Sequence, residues 1–146
     1  VEVVVTDEDE VTISSIVALQ QIVHENSARH GFWEPWDDAQ WLEEFAVHLK
    51  NSAVGMATDN YNRILKIAKE HRVMLLATKL MLMVSEVSEA LEALRDEDPL
   101  NFNEELIDNL IRTLDTLAKV QAPTTAILAD KIAKNSERGY KHGRSF

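Results

Sequence analysis

The chain has 146 residues, 45% of them hydrophobic, no cysteine and a formal net charge of −10. It is long enough to bury the core of one domain without covalent or metal staples, and it offers neither a thiol nucleophile nor a thiolate zinc site. So acidic a chain lacks the basic surface that general binding to a nucleic-acid backbone needs.

No apolar run approaches the ~18 residues of a membrane span. The opening VEVVVTDEDE has neither the basic start nor the apolar core of an export signal. A cytoplasmic location is expected, with no membrane and no nucleic-acid polymer as partner. Only four Gly and three Pro occur, and strand-like alternation is nearly absent beyond residue 12, so an all-α fold is expected.

Residues 1–12 read as an N-terminal arm and 13–146 as a single helical domain. A first helix is predicted from Thr12 or Ile13 to Ala28, ending near Gly31. Phe32, Trp33, Trp36 and Trp41 follow. Pro35 interrupts them ahead of a short helix capped by Asp37 or Asp38, with Trp41, Leu42, Phe45 and Leu49 on one face. Asn51–Ala57 reads as a loop. Thr58 or Asp59 caps the next helix. Nothing before Asp98 demands a break, so this stretch is one very long helix or two with a kink near His71. Pro99 ends it. Asn101 with Glu104 three residues later resembles a capping box and starts a helix to about Val120. Pro123 opens the last helix, to about Ser136, and Gly139 and Gly143 punctuate the tail.

At 100° per residue, Leu76, Leu80, Met83, Val84, Val87, Leu91 and Leu94 form one apolar stripe. Leu75, Leu82 and Ala93 lie on the opposite side. A helix apolar on two sides is central in a bundle or sandwiched between subunits. Glu86 and Glu89 fall on that second side, three apart and therefore neighbours on the helix surface. Two carboxylates on such a helix are costly unless something positive compensates them, and a divalent cation is the simplest compensation. The following helix carries the stripe Ile107, Leu110, Ile111, Leu114, Leu117 and Ala118. Glu104, Asp108 and Asp115 lie along one edge of it, with Glu105 further round. Glu105 and Asp108 are again three apart. Antiparallel packing across the short Arg95–Leu100 link would bring both pairs to one spot. Either pair alone is a common feature of a solvated acidic helix; it is the repetition on consecutive helices that points to a site.

The charge is uneven. Residues 131–146 hold Lys131, Lys134, Arg138, Lys141 and Arg144 against Glu137 alone, a net of +4 in a chain of −10. Such a tail is either solvated or able to hold an anion locally.

These residues resemble a known family. The segment Lys79–Leu94, with Glu86-x-x-Glu89, followed by Glu105-x-x-Asp108, resembles the E-x-x-E … E-x-x-D signature of the MazG-like nucleoside triphosphate pyrophosphohydrolases. The tail from Lys131 through Asn135 and Arg138 to Tyr140 resembles that family's K-x-x-x-N-x-x-R-x-Y pattern. His24-Glu-Asn26 with Gly31-Phe-Trp33 resembles its first-helix region. The resemblance covers about 70–146 well and about 15–34 more loosely.

It implies an all-α bundle with the active site inside, assembled as a homodimer or a dimer of dimers. It implies Mg²⁺, with Mn²⁺ able to substitute, held by Glu86, Glu89, Glu105 and Asp108. Glu86 or Glu89 would orient or deprotonate the attacking water. Lys131, Asn135, Arg138 and Tyr140 would contact phosphates, and His24 and Trp33 would line the nucleoside pocket. The implied reaction converts a (d)NTP and water to the monophosphate and pyrophosphate. Compact relatives pass more directly from the tryptophan region to the metal-binding helix. Here an extra helical insertion intervenes, near 36–70.

Two other readings stand beside this one. A phosphoribosyl-nucleotide pyrophosphohydrolase would use related chemistry. A non-enzymatic α-helical dimerisation or interaction module would carry the acidic pairs for solubility alone. A di-iron bundle would want Glu-x-x-His pairs, which the histidines at 24, 30, 48, 71 and 142 do not supply.

Overall fold

The computed structural model describes residues 7–51 and 58–136. Within them the chain forms five α-helices and no strand: α1 (Asp7–Arg29), α2 (Glu34–Asn51), α3 (Thr58–Arg95), α4 (Pro99–Lys119) and α5 (Thr124–Ser136). None is long and apolar enough to cross a membrane. α3 is the spine. Its 38 residues span roughly 57 Å at 1.5 Å per residue, unbroken at His71. α2 packs antiparallel along its first half and α4 antiparallel along its second. α1 lies against α4 and, over a smaller area, α5.

Several helix boundaries differ from the sequence expectation for identifiable reasons. α1 begins at Asp7 and so runs across the expected arm–domain boundary after residue 12. Pro35 does not break α2 but sits in its first turn, where its missing N–H has no helical partner to lose. α4 starts at Pro99. Its cap is Asp98, whose carboxylate accepts from the N–H groups of Leu100 and Asn101 at 3.2 and 3.1 Å. Of the loop expected at Asn51–Ala57, residue 51 closes α2 and 52–57 lie outside the described residues.

α1, α3 and α4 end in the same way. A residue with positive φ follows the last turn, and the next N–H reaches back five residues: Phe32 to Ser27, Asp98 to Ala93, Ala122 to Leu117. This is the Schellman arrangement. The left-handed position is Gly31 (φ 76°) after α1, but Glu97 (φ 56°) after α3 and Gln121 (φ 54°) after α4. At Gly31 a Cβ would also meet the Glu34 carboxylate at 3.1 Å.

The seams are lined by small residues. Ala39 and Ala46 of α2, and Ala68, Ala90 and Ala93 of α3, are each at most 3% exposed, which lets the helix backbones approach closely. Trp33, Trp36, Tyr61 and Leu114 fill the space between them. On α3 the inward face carries Tyr61, Ala68, Glu86, Ala90 and Ala93, about a quarter turn from the apolar stripe read from the sequence. Most of that stripe is turned outward: Leu80, Val84, Val87, Leu91 and Leu94 are exposed, while Leu76 and Met83 are half-buried. α2 shows the same rotation. Trp41 and Phe45 lie outside, their rings stacked at 5.1 Å, while Trp36 and the alanines face in.

Candidate metal centre and adjoining cavity

The antiparallel α3–α4 pair brings the expected carboxylates together. Glu86 projects from the inner face of α3 and is only 6% exposed. One oxygen from each of Glu86, Glu105 and Asp108 can be chosen so that all lie within 4.8 Å of one another. Hard divalent cations take oxygen ligands of this kind, at roughly 2.0–2.6 Å. The trio therefore could hold a metal ion. Glu89 stands one turn further along α3, exposed, its Oε1 accepting from Ser85 Oγ at 2.9 Å. It is not one of the three converging oxygens, but its charge reaches them. Burial raises the Glu105 pKa above the usual 4.5. A hydrogen bond with Glu86 and the charges of Glu89, Glu86 and Asp108 push it the same way. Like charges held this close favour a proton or a cation between them.

Glu86 also has a protein partner. Arg112, one turn beyond Asp108 on α4, donates from Nε and Nη2 to Glu86 Oε1 at 2.7 and 2.6 Å. Asn109 Nδ2 donates to the Met83 carbonyl at 2.8 Å and fixes the register of the two helices beside the trio.

A cavity of about 480 Å³ opens next to the trio. Asp108 and Arg112 line it at the carboxylate end, with Phe32, Lys79, Leu82 and Asp115 around the rest. Asp115, 6% exposed, is a hub between α1 and α4. Its Oδ1 contacts His24 Nδ1 and accepts from Trp33 Nε1, both at 2.7 Å, and its Oδ2 accepts from Ser27 Oγ at 2.7 Å. Lys79 Nζ sits 4.2 Å from the centre of the Trp33 ring and 5.5 Å from that of Phe32. Burial lowers its pKa; nearby Asp115 opposes that shift and Arg112 adds to it.

A second hollow, about 750 Å³, lies between α2, α3 and the end of α4, partly walled by the inserted segment. Arg72 there pairs with Glu43 at 2.8 Å and lies 4.5 Å over the Trp36 ring.

His24 and Trp33 are thus placed behind the first cavity rather than on its wall. Trp33 is 1% exposed, with its indole N–H committed to Asp115 and its face to Lys79. The aromatic ring on the wall is Phe32. Lys131 and Asn135 are exposed on α5 and line neither cavity. Arg138 and Tyr140 lie outside the described residues. Lys79 and Arg112 stand at the site beyond the residues expected from the sequence. Their signal was periodicity: Lys79 lies seven before Glu86, and Arg112 four after Asp108, each on the face of its carboxylate.

Comparison with protein-family models, curated proteins and solved structures finds no match to the chain.

Proposed function

We propose that the chain is a Mg²⁺-dependent nucleoside triphosphate pyrophosphohydrolase of the MazG-like kind, converting a (d)NTP and water to a (d)NMP and pyrophosphate. The observation that carries this reading is the convergence of Glu86, Glu105 and Asp108 from two helices at one end of a cavity. The order of the sequence motifs supports it. Glu89, one turn along α3, is the fourth carboxylate of the proposed set, and its charge acts on Glu105.

Bound Mg²⁺ would neutralise the phosphates and lower the cost of the in-line transition state. Glu86 or Glu89 orients the water and takes its proton as it attacks the α-phosphorus. The α–β anhydride breaks and pyrophosphate leaves. The nucleoside enters the 480 Å³ cavity, where Phe32 offers an exposed ring of the kind on which bases stack. Lys131, Asn135, Arg138 and Tyr140 remain the proposed outer phosphate contacts.

The working form is a homodimer or a dimer of dimers. Leu80, Val84, Val87, Leu91 and Leu94 make a continuous exposed stripe on α3. Contiguous apolar surface of this kind marks an interaction face, and a second copy of the same stripe would cover it symmetrically.

The test is a panel of NTPs and dNTPs incubated with the protein and Mg²⁺, with pyrophosphate and orthophosphate assayed separately. Pyrophosphate in step with monophosphate supports the reading. Orthophosphate alone, or no product from any nucleotide, overturns it and leaves a helical interaction module.

A further inference from the structure

The cavity beside the carboxylates carries cations of its own. Four charged side chains line it: Lys79, Arg112, Asp108 and Asp115. Asp115 has both oxygens engaged, by His24 and Trp33 on one and Ser27 on the other. Asp108 belongs to the carboxylate trio. Lys79 differs from both. Among the described residues its ammonium makes no hydrogen bond and no ion pair, only the two ring contacts with Trp33 and Phe32. The charge of Asp115 acts on it but takes none of its hydrogens, and a partly buried ammonium with unused donors points to an anionic ligand.

Arg112 is the second cation, and its present partner is conditional. A carboxylate as buried as Glu86 needs a positive counterpart, and Arg112 supplies it with two donors on one oxygen. A divalent cation on the trio would neutralise Glu86 and repel the guanidinium. Arg112 is 39% exposed at its side chain and already on the cavity wall, so the freed fork has a direction in which to turn. A guanidinium fork matches phosphate oxygens two at a time.

We propose that Lys79 and Arg112 form an anion seat for phosphoryl groups inside this cavity, standing in the case of Lys79 and released from Glu86 by metal in the case of Arg112. The Arg112 half rests on the metal reading given above; the Lys79 half does not. The seat is distinct from the tail residues Lys131 and Asn135, which the fold leaves exposed on α5.

The probe is inorganic pyrophosphate, titrated calorimetrically into the full chain with and without Mg²⁺. Lys79→Gln is expected to weaken binding roughly tenfold in both conditions, the order of one lost charge-assisted hydrogen bond. Arg112→Gln is expected to weaken it by a similar factor only with Mg²⁺ present. Arg112→Lys guards against misfolding, since it keeps a charge beside Glu86 but loses the fork; an intermediate loss is expected. Binding of Mn²⁺, followed separately by its paramagnetic resonance signal, is expected to be retained or tightened in Arg112→Gln. Failure of the wild type to bind pyrophosphate, or wild-type binding by both variants with Mg²⁺, overturns the seat. Absence of Mn²⁺ binding in the wild type overturns the metal reading and the release of Arg112 with it. The metal-free titration of Lys79→Gln then decides the Lys79 half on its own.

Discussion

Trp33 and Asp115 stand 82 residues apart in sequence and are joined by a 2.7 Å hydrogen bond from the indole Nε1 to Oδ1. The same carboxylate holds His24 and Ser27, so one side chain on α4 gathers the end of α1 and the turn after it. Asp115→Ala would leave a buried indole N–H and a hydroxyl without acceptors, at a cost of about 2–4 kcal/mol. A drop in melting temperature on the order of 10 °C is expected, with a change in tryptophan fluorescence. A variant that melts with the wild type would show that the hub is not needed to hold α1.

The three Schellman ends are unequal. Gly31 adopts positive φ freely, whereas Glu97 and Gln121 hold it with a Cβ present. The left-handed region costs an ordinary residue roughly 1–2 kcal/mol, partly offset by the extra unfolded-state freedom of glycine. Glu97→Gly and Gln121→Gly are each expected to stabilise the fold by about 0.5–1 kcal/mol. Chemical denaturation measures this; a lower midpoint in either variant would contradict the assignment of these two positions.

The exposed stripe of α3 sets an expectation for assembly. A charge at Val87 or Leu91, as in Val87→Glu or Leu91→Glu, is expected to shift the sedimentation of the protein to the monomer while far-UV circular dichroism stays helical. An unchanged oligomer would show that some other surface holds the copies together.

Glu105 is expected to give the metal-free protein a pH dependence. Its pKa in the fold is raised by burial and by the carboxylates around it. A carboxyl raised in this way contributes stability that is complete below its unfolded value of 4.5 and is lost as pH climbs through the folded value. Melts in chelator, taken upward from pH 4.5, are therefore expected to lose stability until Glu105 is ionised in the fold, with a flatter profile in Glu105→Gln. Stabilisation by Mg²⁺ is expected to grow in the same direction, because the metal needs the ionised carboxylate. A parallel fall in Glu105→Gln would assign the slope to another group.

Much of the fold was legible because helix signals are local. The scarcity of Gly and Pro, the residues at Pro99 and Pro123 and the Gly31 end all announced an all-helical chain. Local signals misplaced the caps by a few residues: Asp98 next to Pro99 outcompeted Asn101, and Pro35 proved to be a helix start. Which face turns inward was not legible. The sequence reading followed the large apolar side chains of α3, yet the chain packs through alanines and leaves the large residues outside, which one copy of a sequence pattern cannot distinguish. Glu105 and Asp108 were readable from their spacing of three, and Glu86 from its spacing of three to Glu89, which stands outside the trio. The Arg112–Glu86 pair and the Lys79–Trp33 contact were not, because the first joins two helices and the second joins α3 to the turn after α1, and only packing decides how these face one another.

The central claim is that Glu86, Glu105 and Asp108 hold one divalent cation between α3 and α4. Titration of Mn²⁺ into the chelator-treated protein tests it most directly. Saturable binding is expected for the wild type, weakened at least about tenfold by Glu105→Gln or Asp108→Asn, both of which keep side-chain size and remove a charge. Binding in both variants with wild-type affinity, or none in the wild type, would contradict the claim.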